Sequence, residues 1–264
     1  MAWLAAMGLV QVQTCGLSDN YRSTDMPREC YWCESIGDTD EHVPPRCLFP
    51  EQKDSGGNYR RNLITVPACA EHNSGKSKDD EFLMAVLSAA VGGNSLAYRQ
   101  TSTKVRRTFE HSPSLLDRIV LNPQRLIAVD SDGASYPVIA GRPDMPRLVR
   151  ALEATARGLW YHHRACRFVG ECVILPAFVS FDPAVDGGRM EMLKTLARIL
   201  GEEDLAVGAN GGSNPEVFVY RFGSVDQFGL IPLFMTFFEG IDVFASFIPA
   251  GVVPPHRARQ ASKT

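Results

Sequence analysis

No apolar run in this 264-residue chain is long enough to cross a bilayer, since a spanning helix needs roughly 18 apolar residues or more. That excludes a helical membrane anchor within the sequence. Strong charge of either sign is also missing. The formal net charge is -3, so there is no general attraction toward nucleic acid, and any such binding needs a local patch. There is no internal repeat and no low-complexity tract. An even, disulfide-type cysteine framework is absent too: the seven cysteines include a tight CxxC pair, which fits metal binding in a reducing compartment and points to the cytoplasm. The apolar start, Met1–Val10, has no basic flank and does not look like a secretion signal. With Met7 and Met26 as later starts, residues 1–27 are expected to be a tail or a mis-called start. Residues 28–77 lack long apolar runs and are rich in Gly, Pro, Asn and charge. Such a segment cannot hold itself together by burial and needs a staple. The rest of the composition, 45% hydrophobic and 22% charged, is that of a soluble globular chain with length for one large or two modest domains.

The chemistry is concentrated between Cys30 and Asp80, which hold four of the seven cysteines and two of the six histidines. Cys30 and Cys33 form one CxxC turn, and Cys69 and His72 form a second pair at the same spacing. Zinc takes four soft or borderline donors in a tetrahedron, and a Cys3His set is within its repertoire. The bland alternative, buried thiols and a surface histidine, leaves a core-poor segment with nothing to order it. Cys47 is a spare, either a substitute for His72 or a small buried hydrophobe. Cys166 and Cys172, with His162 and His163 nearby, form either a second metal site or helix-end packing.

Inside this staple lie Glu41-His42-x-x-Pro45, then Asn62-Leu63, then Cys69-x-x-His72-Asn73-x-x-Lys76. The order of these pieces, preceded by Cys30-x-x-Cys33, resembles the HNH endonuclease family over about fifty residues, a fifth of the chain. Two departures stand out: the last knuckle residue is His rather than Cys, and Glu rather than Asp precedes His42. The resemblance implies a ββα-metal fold around one divalent ion. It implies His42 as the general base, Glu41 and Asn73 as ligands of Mg2+ or Mn2+, and Asn62 as a brace for the loop that aims His42. Lys76 and Arg46 become candidates for phosphate contacts. DNA is the substrate expected from the resemblance, ahead of RNA.

The residue types suit that chemistry. Hydrolysing a phosphodiester needs a deprotonated nucleophile near neutral pH, where histidine can take a proton. Magnesium prefers oxygen ligands and keeps several waters, so a carboxylate and an amide oxygen suffice, while sulfur and imidazole select zinc. Neighbours on a regular strand point to opposite faces. Glu41 and His42 therefore share a site only if the strand is twisted or bulged there, and Pro44-Pro45 make an irregular strand end plausible. Between Arg28 and Glu81 there are seven Lys or Arg against eleven Asp or Glu, so substrate grip has to come from elsewhere. Residues 97–150 hold the basic excess, including Lys104, Arg106 and Arg107. It is either a solvated face or a phosphate-contacting patch.

Ser77-x-x-Asp80 followed by Phe82, Leu83, Val86 and Leu87 predicts a capped helix ending at Gly92-Gly93. Short strands are expected at Arg125–Asp130 and Ala134–Ala140, around Ser131-Asp132-Gly133. Helices are expected at Pro146–Cys166 and Met190–Leu200. Further strands are expected at Glu216–Phe222, Leu230–Phe238 and Ile241–Ile248, the last two joined at Glu239-Gly240. The expected fold is α+β: a zinc-stapled HNH module with its following helix at 28–96, an α+β accessory domain with a small antiparallel sheet at 97–250, and a polar tail at 251–264. The accessory domain carries no chemical motif and is a candidate surface for a homo-oligomer or a protein partner. The expected function is a metal-dependent endonuclease. The alternative is a catalytically inactive zinc module that binds nucleic acid or protein.

Overall fold

The computed structural model describes residues 28–111, 119–129, 133, 135–179, 210–226 and 229–253. The expected helix at Met190–Leu200, the segment 1–27 and most of the tail 251–264 lie outside those residues. Among the described residues the fold is α+β, with three small antiparallel sheets. Among the described residues no helix is long and apolar enough to cross a membrane.

Strands β1 (Thr39–Val43) and β2 (Ile64–Ala68) form a two-stranded antiparallel sheet with Glu41 opposite Val66 and His42 opposite Thr65. The long connection between them contains a 3-10 turn at Arg46–Leu48 and one helical turn, α1 (Gln52–Ser55). After β2 comes the second knuckle, then helix α2 (Ser77–Ala89), whose apolar stripe from Phe82 to Leu87 is buried. Ser77 is the first helical residue rather than the cap. Lys76 takes the N-cap position because the tight turn Ser74–Lys76 runs straight into the helix.

A continuous helical run follows: α3 (Ser95–Gln100), a π-helical turn at Thr101–Val105 and α4 (Arg106–His111). Asn94 caps it by accepting from the N–H groups of Leu96 and Ala97. Strands β3 (Val120–Val129) and β4 (Ser135–Pro143) form a hairpin that is a sheet of its own. The longest helix, α5 (Met145–Arg164), is capped by Asp144 and has Pro146 in its first turn. Strand β5 (Gly170–Pro176) leads to the edge of a five-stranded sheet in the order β5-β9-β8-β7-β6, with β6 at Asn210–Asn214, β7 at Phe218–Phe222, β8 at Ile231–Phe237 and β9 at Ile241–Pro249.

The β7, β8 and β9 residues alternate buried and half-buried, as a sheet with one face on the core requires. The β8–β9 turn is centred on Phe238 and Glu239, with φ of 47° and 62°, and not on Glu239-Gly240. The αL backbone there is disfavoured for non-glycine residues. It is held by full burial of Phe238 and by Asn94, which binds the Phe238 carbonyl through its backbone N–H and the Glu239 carboxylate through its side chain.

Helix α5 ties the molecule together. Trp160 meets Phe168 and Phe222 edge-on and Phe247 at a tilt, all in the C-terminal half. On another side, Gly158 meets β1. A Cβ at this position would lie 2.5 Å from Val43 Cγ2, so only glycine allows the helix this close to the hairpin. Buried residues from both halves of the chain form one hydrophobic cluster.

Candidate metal centre and its neighbouring polar clusters

The first knuckle is a tight turn. Cys30 N–H donates to Ser35 O, Gly37 N–H donates to Arg28 O, and Glu29 and Ile36 bridge across its neck. Tyr31 N–H reaches Pro67 O in β2, which brings the turn against the chain leading to the second knuckle. Thr39 Oγ1 donates to Ala68 O and closes the same end of the hairpin. These bonds place the donor atoms of Cys30, Cys33, Cys69 and His72 within 4.8 Å of one another.

The separations are those of a small tetrahedron. Zinc bonds of about 2.3 Å to sulfur and 2.0–2.1 Å to nitrogen predict edges of about 3.8 Å for S···S and about 3.6 Å for S···N. Cys33 Sγ and Cys69 Sγ are 3.8 Å apart. His72 Nδ1 lies 3.8, 3.5 and 3.2 Å from the sulfurs of Cys30, Cys33 and Cys69. This cluster can hold a metal ion such as zinc. Its imidazole is positioned by stacking: the His72 and Trp32 rings lie 5.4 Å apart and 15° from parallel. Arg157 of α5 lies over the other partner of that stack, 5.1 Å from the Trp32 ring centre. Glu153 and the carbonyls of Phe168 and Gly170 hold Arg157 in place.

Cys47 is not part of the cluster. Its buried thiol donates to Asp80 O, and burial pushes its pKa up to about 12. The second candidate site is not a metal pair either: Cys166 is disulfide-bonded, while Cys172 is a buried free thiol. His163 instead shares a 2.8 Å hydrogen bond with the Tyr220 hydroxyl.

The register of β1 is unbroken from Thr39 to Val43, so Glu41 and His42 face opposite sides of the strand. Glu41 turns inward, only 6% exposed. Its Oε1 accepts from Lys76 Nζ at 2.6 Å, and the same ammonium donates to Asp80 Oδ1 at 2.6 Å. Lys76 is therefore enclosed between two carboxylates and does not project outward as a phosphate contact would. Burial raises the Glu41 pKa despite Lys76, and burial also raises Asp80 to about 6, with Glu41 adding to it. Burial works against charge on Lys76, but Asp80 and then Glu41 outweigh it and raise its pKa. The triad is one positive charge short of neutral.

His42 lies on the outer face, half-buried, opposite exposed Thr65. Burial lowers its pKa, the nearby Arg46 charge adds to that, and Asp40 partly opposes it. The imidazole is therefore neutral at pH 7 and able to accept a proton. Arg46 is exposed. Asn73 sits beside β1, where its amide nitrogen donates to Thr39 Oγ1 and to Asp40 O, leaving the oxygen end of the amide for other partners. Asn62 is exposed with φ of 50°, and its loop is held by the C-terminal sheet: Ser213 Oγ donates to Asn62 O and Asn214 Nδ2 to Arg61 O.

The basic excess in residues 97–150 acts largely as fastenings. Arg107 forms a two-pronged pair with Asp54, Arg99 donates to Ser55 O, and Lys104 donates to Cys47 O. Arg106 pairs with Glu110, and Arg147 pairs with Asp79 and lies over Phe82. Three of these, Arg99, Lys104 and Arg107, pin the α3–α4 run to the β1–β2 connection. Sequence reasoning missed Asp80 as a partner of Lys76, although their i,i+4 spacing at a helix start was a usable signal. Nothing in the sequence signalled Ser213 and Asn214.

The chain matches no family model, no curated protein and no solved structure.

Proposed function

We propose that residues 28–96 form a zinc-stapled ββα-metal module of the HNH type that hydrolyses phosphodiester bonds in nucleic acid, with DNA the expected substrate. The observation that carries this reading is the pairing of a neutral, half-buried His42 with an exposed Arg46 on a hairpin whose other end is closed by the Cys3His cluster. A general base must be unprotonated at working pH, and burial of His42 beside Arg46 favours that form of the imidazole. Arg46 supplies a cation for a phosphate oxygen beside it.

A catalytic divalent ion would have to take Glu41 from Lys76, whose ammonium already fills the space between the two acids. Glu41 belongs to a carboxylate–ammonium triad short of one positive charge, and Asn73 has its amide nitrogen engaged and its oxygen end free. Glu41 and Asn73 would hold Mg2+ or Mn2+, which supplies Lewis-acid stabilisation of charge on the phosphate when bound. The protein's own part is to orient and to move a proton. His42 takes a proton from water, and the water oxygen attacks phosphorus. One P–O ester bond then breaks, the departing oxygen takes a proton from solvent and His42 returns its own to solvent, leaving a phosphomonoester and an alcohol. Asn62 braces the loop beneath His42 by holding the chain in a left-handed turn just before β2.

A second reading is a zinc module without hydrolytic activity that binds nucleic acid or protein. It is favoured by the opposed directions of Glu41 and His42 and by the enclosure of Glu41 by Lys76. A nicking assay on supercoiled plasmid with Mg2+ or Mn2+ decides between them. The hydrolase reading expects cleavage that His42→Ala reduces by about a hundredfold to ten-thousandfold, with the fold and zinc content intact. No cleavage by wild type with either ion leaves the binding module.

A further inference from the structure

The face of the five-stranded sheet turned away from α5 carries an open depression of about 480 Å³. Its walls include Arg221 from β7, Phe234 and Thr236 from β8, and Gly211 and Gly212 from β6. Arg221 lies with its guanidinium carbon 5.4 Å from the Phe234 ring centre. Its Nε is shielded from solvent and has no hydrogen-bond partner among the described residues. Asp242, the acid nearest along the strand register, is engaged by the Thr236 hydroxyl at 2.8 Å. Leaving a shielded N–H of a permanently charged group unpaired is costly. A planar guanidinium is matched in geometry and charge by an oxyanion.

The same wall leads directly to the hairpin loop. Gly211 and Gly212 line the depression, and the register slips between Gly211 and Asn214, so the chain bulges there. The next residues, Ser213 and Asn214, hold the carbonyls of Asn62 and Arg61 at 3.1 and 3.2 Å. Asn214 is 9% exposed, so its amide is fixed by burial as well as by that bond.

We propose that this depression binds a small ligand bearing a phosphate or carboxylate group through Arg221, and that the bulged end of β6 transmits occupancy to the Asn62 loop. The binding itself is independent of the hydrolase reading. Only the consequence of the coupling, control of the residues around His42, rests on that reading.

The test is calorimetric titration of the full-length protein with adenosine monophosphate, inorganic phosphate and adenosine, together with hydrogen exchange on the wild type. Adenosine monophosphate is expected to bind. Loss of the anion in adenosine, or of the cation in Arg221→Gln, is expected to weaken binding by about tenfold or more. Phosphate binding as tightly as the nucleotide supports the site and narrows its ligand to the oxyanion. Unchanged binding in Arg221→Gln, or no binding of either anion, overturns it. Exchange on the wild type needs no variant: the nucleotide is expected to slow the amides of residues 211–214 and also those of Asn62 and Leu63. Slowing confined to residues 211 and 212 overturns the coupling. Absence of slowing at residues 211 to 214 overturns the site. Neither readout depends on cleavage, so failure of the hydrolase reading appears separately, as intact binding with no nicking.

Discussion

Two polar clusters within one short module solve opposite electrostatic problems. The Cys30–Cys33–Cys69–His72 cluster gathers four donors around a point that contains no group of the protein's own. The Glu41–Lys76–Asp80 cluster gathers its acids around a cation supplied by the chain itself. The first can hold an ion from outside, and an ion bound there would tie the order of the segment to its own binding. The second is filled by Lys76, but burial and then the extra negative charge of Glu41 raise the Asp80 pKa to about 6. A converging donor set and an acid pair around a lysine look alike as a list of ligating residue types. They differ in whether the centre is already filled.

Breaking the first cluster has the largest expected effect. Structural zinc in small modules contributes about 10–16 kcal/mol of apparent binding energy. Cys30→Ser or a strong chelator should therefore unfold residues 28–96, read as loss of zinc by metal analysis together with protease sensitivity of that segment. Breaking the second is expected to cost less. Lys76→Met keeps the volume but leaves two buried carboxylates facing each other, which costs about 3–5 kcal/mol in denaturant titration. Retention of full stability would show that the ammonium contributes nothing net.

The pH dependence sharpens the contrast. Asp80 has a folded pKa near 6, above its ordinary 3.8, because burial favours the protonated acid. The native state therefore binds more protons than the unfolded chain between those values, and Asp80's contribution to stability declines as pH rises through that window. In the nicking assay the sign is different. His42 has its pKa lowered by burial, so the active base form persists below the usual imidazole range. The acid limb of the rate profile should fall below pH 6.5, and removing the neighbouring charge with Arg46→Gln should move that limb upward. The smallest effect is expected from reversing charge at Lys104, Arg106 and Arg107. These groups bind Cys47 O, Glu110 and Asp54, so the change should loosen the β1–β2 connection and leave the salt dependence of nucleic-acid binding unaltered.

The contrast also marks what the sequence could reveal. The tetrahedral set was legible because ligand spacing within a knuckle is a local property. The apolar stripe of α5 and the alternation in β7, β8 and β9 were legible for the same reason. Pro146–Cys166 was expected and Met145–Arg164 is found. The expected strand Glu216–Phe222 appears as Phe218–Phe222. By sequence Lys76 is a candidate phosphate contact, because nothing local to it says that Glu41, 35 residues earlier, folds inward beneath it. Strand β6 was not anticipated: Asn210-Gly211-Gly212-Ser213-Asn214 has the composition of a loop. It becomes a strand only because β7 offers an edge to pair with. Its grip on Asn62 spans 151 residues, beyond the reach of any periodicity.

The stack of Arg157 on Trp32 and of Trp32 on His72 has a consequence for the order of events during synthesis. All four candidate metal donors have been made by residue 72, and the chain emerges N-terminal end first. Yet the wall that fixes the imidazole waits for Glu153, Arg157 and the carbonyls of Phe168 and Gly170. A nascent chain can thus capture its ion early, but the ring that holds it becomes immobile only after about another hundred residues have been added. A fragment ending at residue 96 would keep every donor and lose that wall, together with Gly158, against which β1 packs.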